Sequence, residues 1–449
     1  MKKILLTAMG SDAGKTVTTC ALLTALKKRG LSLRSFKCGP DYIDPMFHSR
    51  VLGLECRNLD LFLQGREGVE RTLRTTADSD LVLIEGAMGY YDGLGGTEQN
   101  SAYDLARSTG TPAVLILRPK GSSVSLAAQV RGMQLFRPES GLVGLLLTDC
   151  SEHYAEYLRP LLEKETGLPV LGFLPHREEA ILPSRHLGLL TAAEVEDLSK
   201  RMEILATQVE ANINLDLLLH LAVEDESKML PLTLPESRCR IAVARDEAFC
   251  FLYADSLDAF RSAGAEPVFF SPLREEALPE DVTGLYLCGG YPELYAEALS
   301  KNRAMCSGIR QAIADGLPTM AECGGFLYLQ QSLEDKEGRT FPMCGVLPGH
   351  AFRTERLQRF GYQWLCSERD SLLFRAGERI PAHEFHYWDS TENGEDLAVV
   401  KSDGRTWRCG TVRDNLFAAF PHLHLGGELP LARRFVDACE NYGRNQKTN

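Results

Sequence analysis

Two stretches of the chain carry residue types at spacings that can do chemistry. The first is Gly10-Ser11-Asp12-Ala13-Gly14-Lys15-Thr16, set between a short apolar run and a helix-like segment. Glycines let backbone N–H groups turn inward around phosphate oxygens, and a helix N-terminus adds its dipole. Lys15 can then reach the outer phosphates, and the Thr16 hydroxyl can hold Mg²⁺. The usual first glycine, six residues before the lysine, is replaced by Met9, and Gly10 is the nearest substitute. Leu81-Val82-Leu83-Ile84 ends in Glu85, the place for a second Mg²⁺ ligand at the carboxyl edge of a nucleotide-binding sheet. Phe36 to Pro45 reads as a Gly/Pro-bounded loop carrying Lys37, Asp41 and Asp44, a loop that binds or a plain polar turn.

The second stretch is Ala321-Glu322-Cys323-Gly324-Gly325, between Pro318-Thr319-Met320 and the helical-looking Phe326-Leu327-Tyr328-Leu329. A cysteine on a tight strand-to-helix turn meets a helix dipole that favours thiolate, and the glycines permit the strained backbone. Gly289-Gly290, again straight after a strand, can aim an amide at a developing oxyanion, with the amide of Gly324 as its partner. For a base, Pro421-His422-Leu423-His424 offers two imidazoles on one face of an extended segment, and the residues leave open which of them serves. His383 and His386 lack the H-E-x-x-H helical spacing, which argues against a zinc site.

These groups need rigid elements to hold them. Short unbroken apolar runs, Ile4–Thr7, Leu81–Ile84, Ala113–Leu117, Leu142–Leu147 and Val170–Phe173, alternate with helical patterns such as Thr16–Lys28, which Gly30 stops. After a polar, Pro-containing stretch a second series begins with Ile241–Ala244, Val268–Phe270, Leu285–Leu287 and Pro318–Met320. Repeated strand and helix imply two tandem α/β domains, at residues 1–225 and 239–449, with a linker at 226–238. A length of 449 residues with 44% apolar and 24% charged side chains excludes disorder and fibre. A net charge of −12 argues against nucleic acid or an anionic membrane surface as partner. Thirteen scattered cysteines without a C-x-x-C pair, and an N-terminal apolar stretch too short for a signal or a span, point to the cytoplasm.

Five strings together resemble a family: Phe-Lys-Cys-Gly-Pro-Asp-Tyr-Ile-Asp-Pro (36–45), Glu-Gly-Ala-Met-Gly-Tyr-Tyr-Asp-Gly (85–93), Pro-Ser-Arg-His-Leu-Gly-Leu (183–189), Gly-Gly-Tyr-Pro-Glu-Leu-Tyr-Ala (289–296) and Ala-Glu-Cys-Gly-Gly (321–325). They are similar, nearly end to end, to the cobyrinic acid a,c-diamide synthases of corrin biosynthesis and their relatives acting on hydrogenobyrinic acid or nickel sirohydrochlorin. The resemblance implies an N-terminal P-loop NTPase-like parallel sheet similar to dethiobiotin synthetase, and a C-terminal class I glutaminase domain of flavodoxin-like build. It implies ATP, L-glutamine and cobyrinic acid as substrates, Mg²⁺ as cofactor, and an acyl-phosphate intermediate displaced by ammonia. In that scheme Cys323 attacks glutamine and His422 is its base, while His424 stands where many class I glutaminases carry a glutamate. Lys37 then shields phosphate, and Tyr42, Asp44 and Asp92 contact substrate or metal. Two strings depart from the family, Arg118-Pro119-Lys120-Gly121 and Thr148-Asp149-Cys150, so the same chemistry on another tetrapyrrole stays open, as does a homodimer. A P-loop regulatory protein with an inactive glutaminase domain is the reading from another class; it predicts no glutamine hydrolysis.

Overall fold

The computed structural model describes residues 1–53, 55–75, 78–176, 178, 198–225 and 234–448. The string at 183–189 and the first part of the expected linker lie outside the described residues. The chain divides into two compact units, Met1–Leu61 with Gly65–Pro231 and Leu232–Asn449 with Phe62–Gln64. None of the thirteen cysteines is in a disulfide. Among the described residues no helix is long and apolar enough to cross a membrane.

The first unit is built on strands β1 (Lys2–Ala8), β2 (Leu33–Cys38), β3 (Arg57–Leu59), β4 (Leu81–Glu85), β5 (Ala113–Leu117), β6 (Leu142–Thr148) and β7 (Val170–Leu174). They lie in the order β3-β2-β4-β1-β5-β6-β7, every pair parallel, and β8 (Val223–Glu224) adds antiparallel to the start of β1. All five residues of β4, and all five of β5, are buried, because helices cover both faces of a parallel sheet. Helix α1 (Lys15–Lys28) is buried on more than one stripe, packing against the sheet and against helices α2 (Ile43–Leu52) and Leu198–Asn212. It ends where Gly30 takes φ +85°, with the Arg29 and Gly30 amides closing back on Ala25 and Lys27.

The segment from Phe36 to Pro45 is not the loop its composition suggests. Phe36, Lys37 and Cys38 finish β2, and Ile43, Asp44 and Pro45 open α2, whose first turn is capped by Asp41 Oδ1 accepting from the Ile43 (2.7 Å) and Asp44 (3.2 Å) amides. Only the turn between them is irregular. Strand and helix place Lys37 and Asp44 inside the protein, 3% and 4% exposed.

The second unit has a central sheet of β9 (Cys239–Ala244), β10 (Ala265–Phe270), β11 (Gly284–Leu287), β12 (Thr319–Glu322), β21 (Thr411–Val412) and β22 (Leu416–Ala419). Its order is β10-β9-β11-β12-β22-β21, parallel except for the edge pair β21/β22, which is the flavodoxin-type winding. Two further sheets, unforeseen from the sequence, are built from the interval between β12 and β22 together with β23, which follows β22. One holds β13 (Ser332–Glu334), β14 (Thr340–Pro342), β15 (His350–Arg353) and β18 (Trp388–Ser390). The other holds β16 (Arg359–Ser367), β17 (Arg379–His386), β19 (Leu397–Val400), β20 (Thr406–Cys409) and β23 (His422–Leu423), all antiparallel. In β17 burial alternates, with Ile380, Ala382, Glu384 and His386 inward, the period-2 pattern of a strand with one covered face.

Candidate active sites

In the first unit the turn after β1 takes left-handed backbone at Asp12 (φ +59°) and Gly14 (φ +80°), so α1 starts on Lys15. The Lys15 ammonium folds over the turn and donates to the carbonyls of Gly10 (2.8 Å) and Met88 (2.6 Å). Thr148 Oγ1 braces the same turn by donating to the Ala13 carbonyl (3.1 Å), while Ser11 and Asp12 are exposed at its tip. Burial, and then Lys37, lower Lys15 to about 8.

Behind the turn lies a buried charged cluster. Thr16 Oγ1 donates to Glu85 Oε1 (2.7 Å), and the Lys37 ammonium bridges Glu85 Oε1 (2.9 Å) and Asp44 Oδ2 (2.7 Å). Burial opposes each charge, but Asp44 and Glu85 hold Lys37 well above the usual lysine range, and Lys37 and His48 hold Glu85 below the usual carboxylate range. His48, absent from the sequence reading, is fully buried and donates to Glu85 Oε2 at 2.7 Å and to Ser35 Oγ at 2.7 Å. Burial works against its proton, yet Cys56 and Glu85 push it up to about 10. Its one sequence signal is the i, i+4 spacing from Asp44, which puts both on the inner face of α2.

Thr16 reaches Glu85 directly and Asp44 joins it through the Lys37 ammonium, so hard oxygen donors of the kind Mg²⁺ takes lie beside the phosphate turn. Among the described residues no three His, Cys, Asp or Glu side chains form a metal-holding group of their own. Tyr42 stands at the N-cap of α2, and Asp92 is exposed with Oδ2 accepting from the Gly89 amide (3.0 Å), which folds the loop after β4. The two departures from the family meet: Arg118 Nε donates to Asp149 Oδ2 at 2.6 Å across the ends of β5 and β6. His176 Nδ1 stands 2.7 Å from Asp149 Oδ1.

In the second unit Cys323 sits between β12 and the five-residue helix α3 (Gly324–Tyr328), with φ +46° and ψ −103°. That backbone is strained for a side-chain-bearing residue and marks a sharp elbow. Gly324 packs so closely that a Cβ there would lie 2.9 Å from the Gly290 nitrogen. The Gly324 backbone amide, the next in the chain, favours the ionised sulfur of Cys323 without overcoming its burial. The Gly289 carbonyl accepts from the Cys250 and Phe251 amides, both at 3.0 Å. Because a trans peptide points its N–H opposite to its C=O, the Gly290 N–H is turned away from those two residues. Gly290 has φ +157°, and a Cβ on it would strike the Ala248 carbonyl at 2.2 Å. The His422 ring lies against Gly289, where a Cβ would come within 2.4 Å of its Cε1.

The structure therefore gathers Cys323, Gly324, Gly290 and His422 around one peptide. His424 instead packs against Tyr253, ring centroids 4.7 Å apart and tilted by 40°. The helix dipole does not produce the expected thiolate. Cys323 is 6% exposed, and burial together with the nearby Glu293 and Glu384 carboxyls pushes its thiol well above the usual range. Desolvation outweighs a one-turn helix. Glu293, in the Gly-Gly-Tyr-Pro-Glu string, is itself pushed up to about 8 by burial. His386 stacks on Phe420 and pairs with Glu384 at 2.7 Å within β17, a structural arrangement.

Comparison with known proteins decides the family. Residues 4–190 match the CobQ/CobB/MinD/ParA nucleotide binding domain, and residues 240–429 match the CobB/CobQ-like glutamine amidotransferase domain. The cobyrinate a,c-diamide synthase of Clostridium acetobutylicum is 37% identical over 97% of this chain and 100% of its own length. The chain belongs to the cobyrinate a,c-diamide synthase family. The synthase of Thermoplasma volcanium is 37% identical over 99% of both chains, and that of Listeria monocytogenes 38% identical over 98% of this chain and 100% of its own. The member described here is an enzyme, a glutamine-dependent ligase with a nucleotide-binding α/β domain and a glutamine amidotransferase domain.

Proposed function

We propose that this ligase converts the a and c carboxylates of cobyrinic acid to amides in cobalamin biosynthesis, using ATP and ammonia released from glutamine. In this reading residues 1–225 carry the synthetase and 239–449 the glutaminase, joined by 226–238. The observation that carries the glutaminase half is the strained elbow at Cys323, with Gly324 packed against the Gly290 amide.

His422 takes the Cys323 proton as sulfur adds to the glutamine carboxamide carbon. The carbonyl electrons move onto oxygen, where the Gly290 and Gly324 amides meet the charge. Collapse of that adduct expels ammonia, which leaves with the proton returned by His422, and water then hydrolyses the thioester to glutamate. The elevated thiol makes this base necessary, since little thiolate exists before substrate arrives.

In the synthetase half the turn from Gly10 to Thr16 holds ATP phosphates. A substrate carboxylate oxygen attacks the γ-phosphorus, ADP leaves, and ammonia then displaces phosphate from the acyl phosphate to give the amide. Lys15 and Lys37 bring positive charge to the phosphates, and Tyr42, Asp44 and Asp92 contact substrate. Thr16, Glu85 and Asp44 would hold Mg²⁺, which supplies charge neutralisation on the phosphates when bound.

The reading is tested by anaerobic incubation with ATP, Mg²⁺ and glutamine of cobyrinic acid and, in parallel, nickel sirohydrochlorin, followed by mass spectrometry. Two acid-to-amide conversions of cobyrinic acid are expected. Conversion of the nickel compound alone would overturn the substrate, and conversion of neither would overturn the function.

A further inference from the structure

The glutaminase scheme needs a group that orients the base, and the position two residues after His422 is filled by His424, which carries no negative charge to offer an imidazolium. Glu322, the residue directly before the nucleophile, is fully buried at the end of β12. β12 and β22 run parallel in register, Glu322 opposite Ala419, and the Cys323 amide donates to the Ala419 carbonyl at 2.9 Å. Three residues beyond Ala419 the neighbouring chain reaches His422, so the two strand ends bring the acid and the histidine together. Glu322 Oε1 accepts from the Leu423 amide (3.1 Å), which grips the backbone next to the histidine. Glu322 Oε2 accepts from the Tyr286 hydroxyl (3.0 Å) and lies 3.7 Å from His422 Nδ1.

From this geometry we infer that Glu322 is the positioning acid of the glutaminase, holding His422 with its proton on Nδ1 so that Nε2 faces Cys323. The inference rests on the glutaminase reading above. A carboxylate beside Nδ1–H selects that tautomer and stabilises the imidazolium that forms when the thiol proton arrives at Nε2; Glu322 itself takes no proton. A contact of 3.7 Å is longer than a hydrogen bond, as active-site contacts often are before substrate binds. The Tyr286 hydroxyl, whose proton is held by burial and by Glu322, supports the second carboxylate oxygen. Titratable groups near His422 include Cys323 and, opposite it in β17, His383, which burial lowers to about 3 and so leaves neutral. Glu384, next along β17, is engaged by His386 and Gln363.

The test uses the full-length protein with Glu322→Gln, which keeps the shape and removes the charge, and Glu322→Asp. Glutamine hydrolysis is measured from about pH 6 to 9, and the His422 ring nitrogens are followed by ¹⁵N NMR. In Glu322→Gln, kcat is expected to fall by about a hundredfold or more with KM for glutamine within about threefold. The acidic limb of kcat/KM moves to lower pH, because the imidazole loses its carboxylate neighbour. Glu322→Asp restores part of kcat. In the unsubstituted protein the neutral His422 ring carries its proton on Nδ1. Unchanged kcat and pH profile in Glu322→Gln would overturn the inference, as would a lowered kcat whose pH profile does not move, or a proton found on Nε2. The ring spectrum of the unsubstituted protein decides the matter even where a variant fails to fold. Absence of glutamine hydrolysis in the unsubstituted protein would strike the functional reading, while the tautomer would still test the contact.

Discussion

The phosphate turn and the cysteine elbow solve opposite electrostatic problems. Around Lys15 and Lys37 the protein assembles formal charges before any ligand arrives, two ammonium groups and an imidazolium against Glu85 and Asp44. Around Cys323 it does the reverse, burying the thiol among apolar groups and carboxyls so that it stays protonated. A site that must receive the several negative charges of a nucleotide benefits from preset cations. A thiol that must not react until its substrate is bound benefits from being kept neutral, with a base close by. Charge is stored in one site and withheld in the other.

That contrast can be broken by separating the two nitrogen sources. Cys323→Ala is expected to reduce glutamine-fed amidation by about 10⁴-fold or more, while amidation fed by an ammonium salt continues. Lys15→Ala stops ATP consumption with either source, and coupled assays of ADP release and amide formation read both. Loss of ammonium-fed activity in Cys323→Ala would show that the sites are not chemically separate.

Loss of the base comes next. His422→Asn is expected to cost about 10²- to 10⁴-fold in glutamine hydrolysis. Should turnover survive that change but not His424→Asn, the base would be His424. In the stored-charge site, Lys37→Met leaves Glu85 and Asp44 facing each other without their cation. It is expected to cost about 3–5 kcal/mol of the first unit's stability, read by denaturant melts. A melt unchanged by that substitution would mean the cluster is not held by this ammonium.

Smaller effects sharpen the comparison through pH. Lys15 is lowered to about 8 without ligand, and phosphate favours its charged form. Nucleotide binding near pH 8 should therefore take up protons and weaken as pH rises, which calorimetry in buffers of different ionisation enthalpy will detect. Glu293 is raised to about 8 by burial, so the folded protein retains a proton that the unfolded chain releases at lower pH. Stability contributed by that retained proton is present below the ordinary carboxylate range and is lost as pH rises toward 8. Melting of the unsubstituted protein should fall relative to Glu293→Gln between about pH 5 and 8, and parallel curves would show that Glu293 ionises normally.

The sequence by itself determined the parallel strands, because a strand covered on both faces must be apolar at every position, as Leu81–Ile84 and Ala113–Leu117 are. It also determined the phosphate turn and the cysteine elbow, since each is made by neighbours in the chain and written in glycines next to a lysine or a cysteine. Only the tertiary structure decided what surrounds them. Lys37 looked like part of a loop because the turn residues after it masked the end of β2, and burial between Glu85 and Asp44 depends on residues far apart in sequence. His48 carried only its i, i+4 spacing from Asp44, and Glu322 nothing beyond standing next to Cys323; His48 acquires its contact from packing of α2 against the sheet, and Glu322 from the register of β12 with β22. The protonation of Cys323 was decided in the same way, because desolvation depends on everything packed around the sulfur, whereas the dipole that favoured thiolate depends on only one short helix.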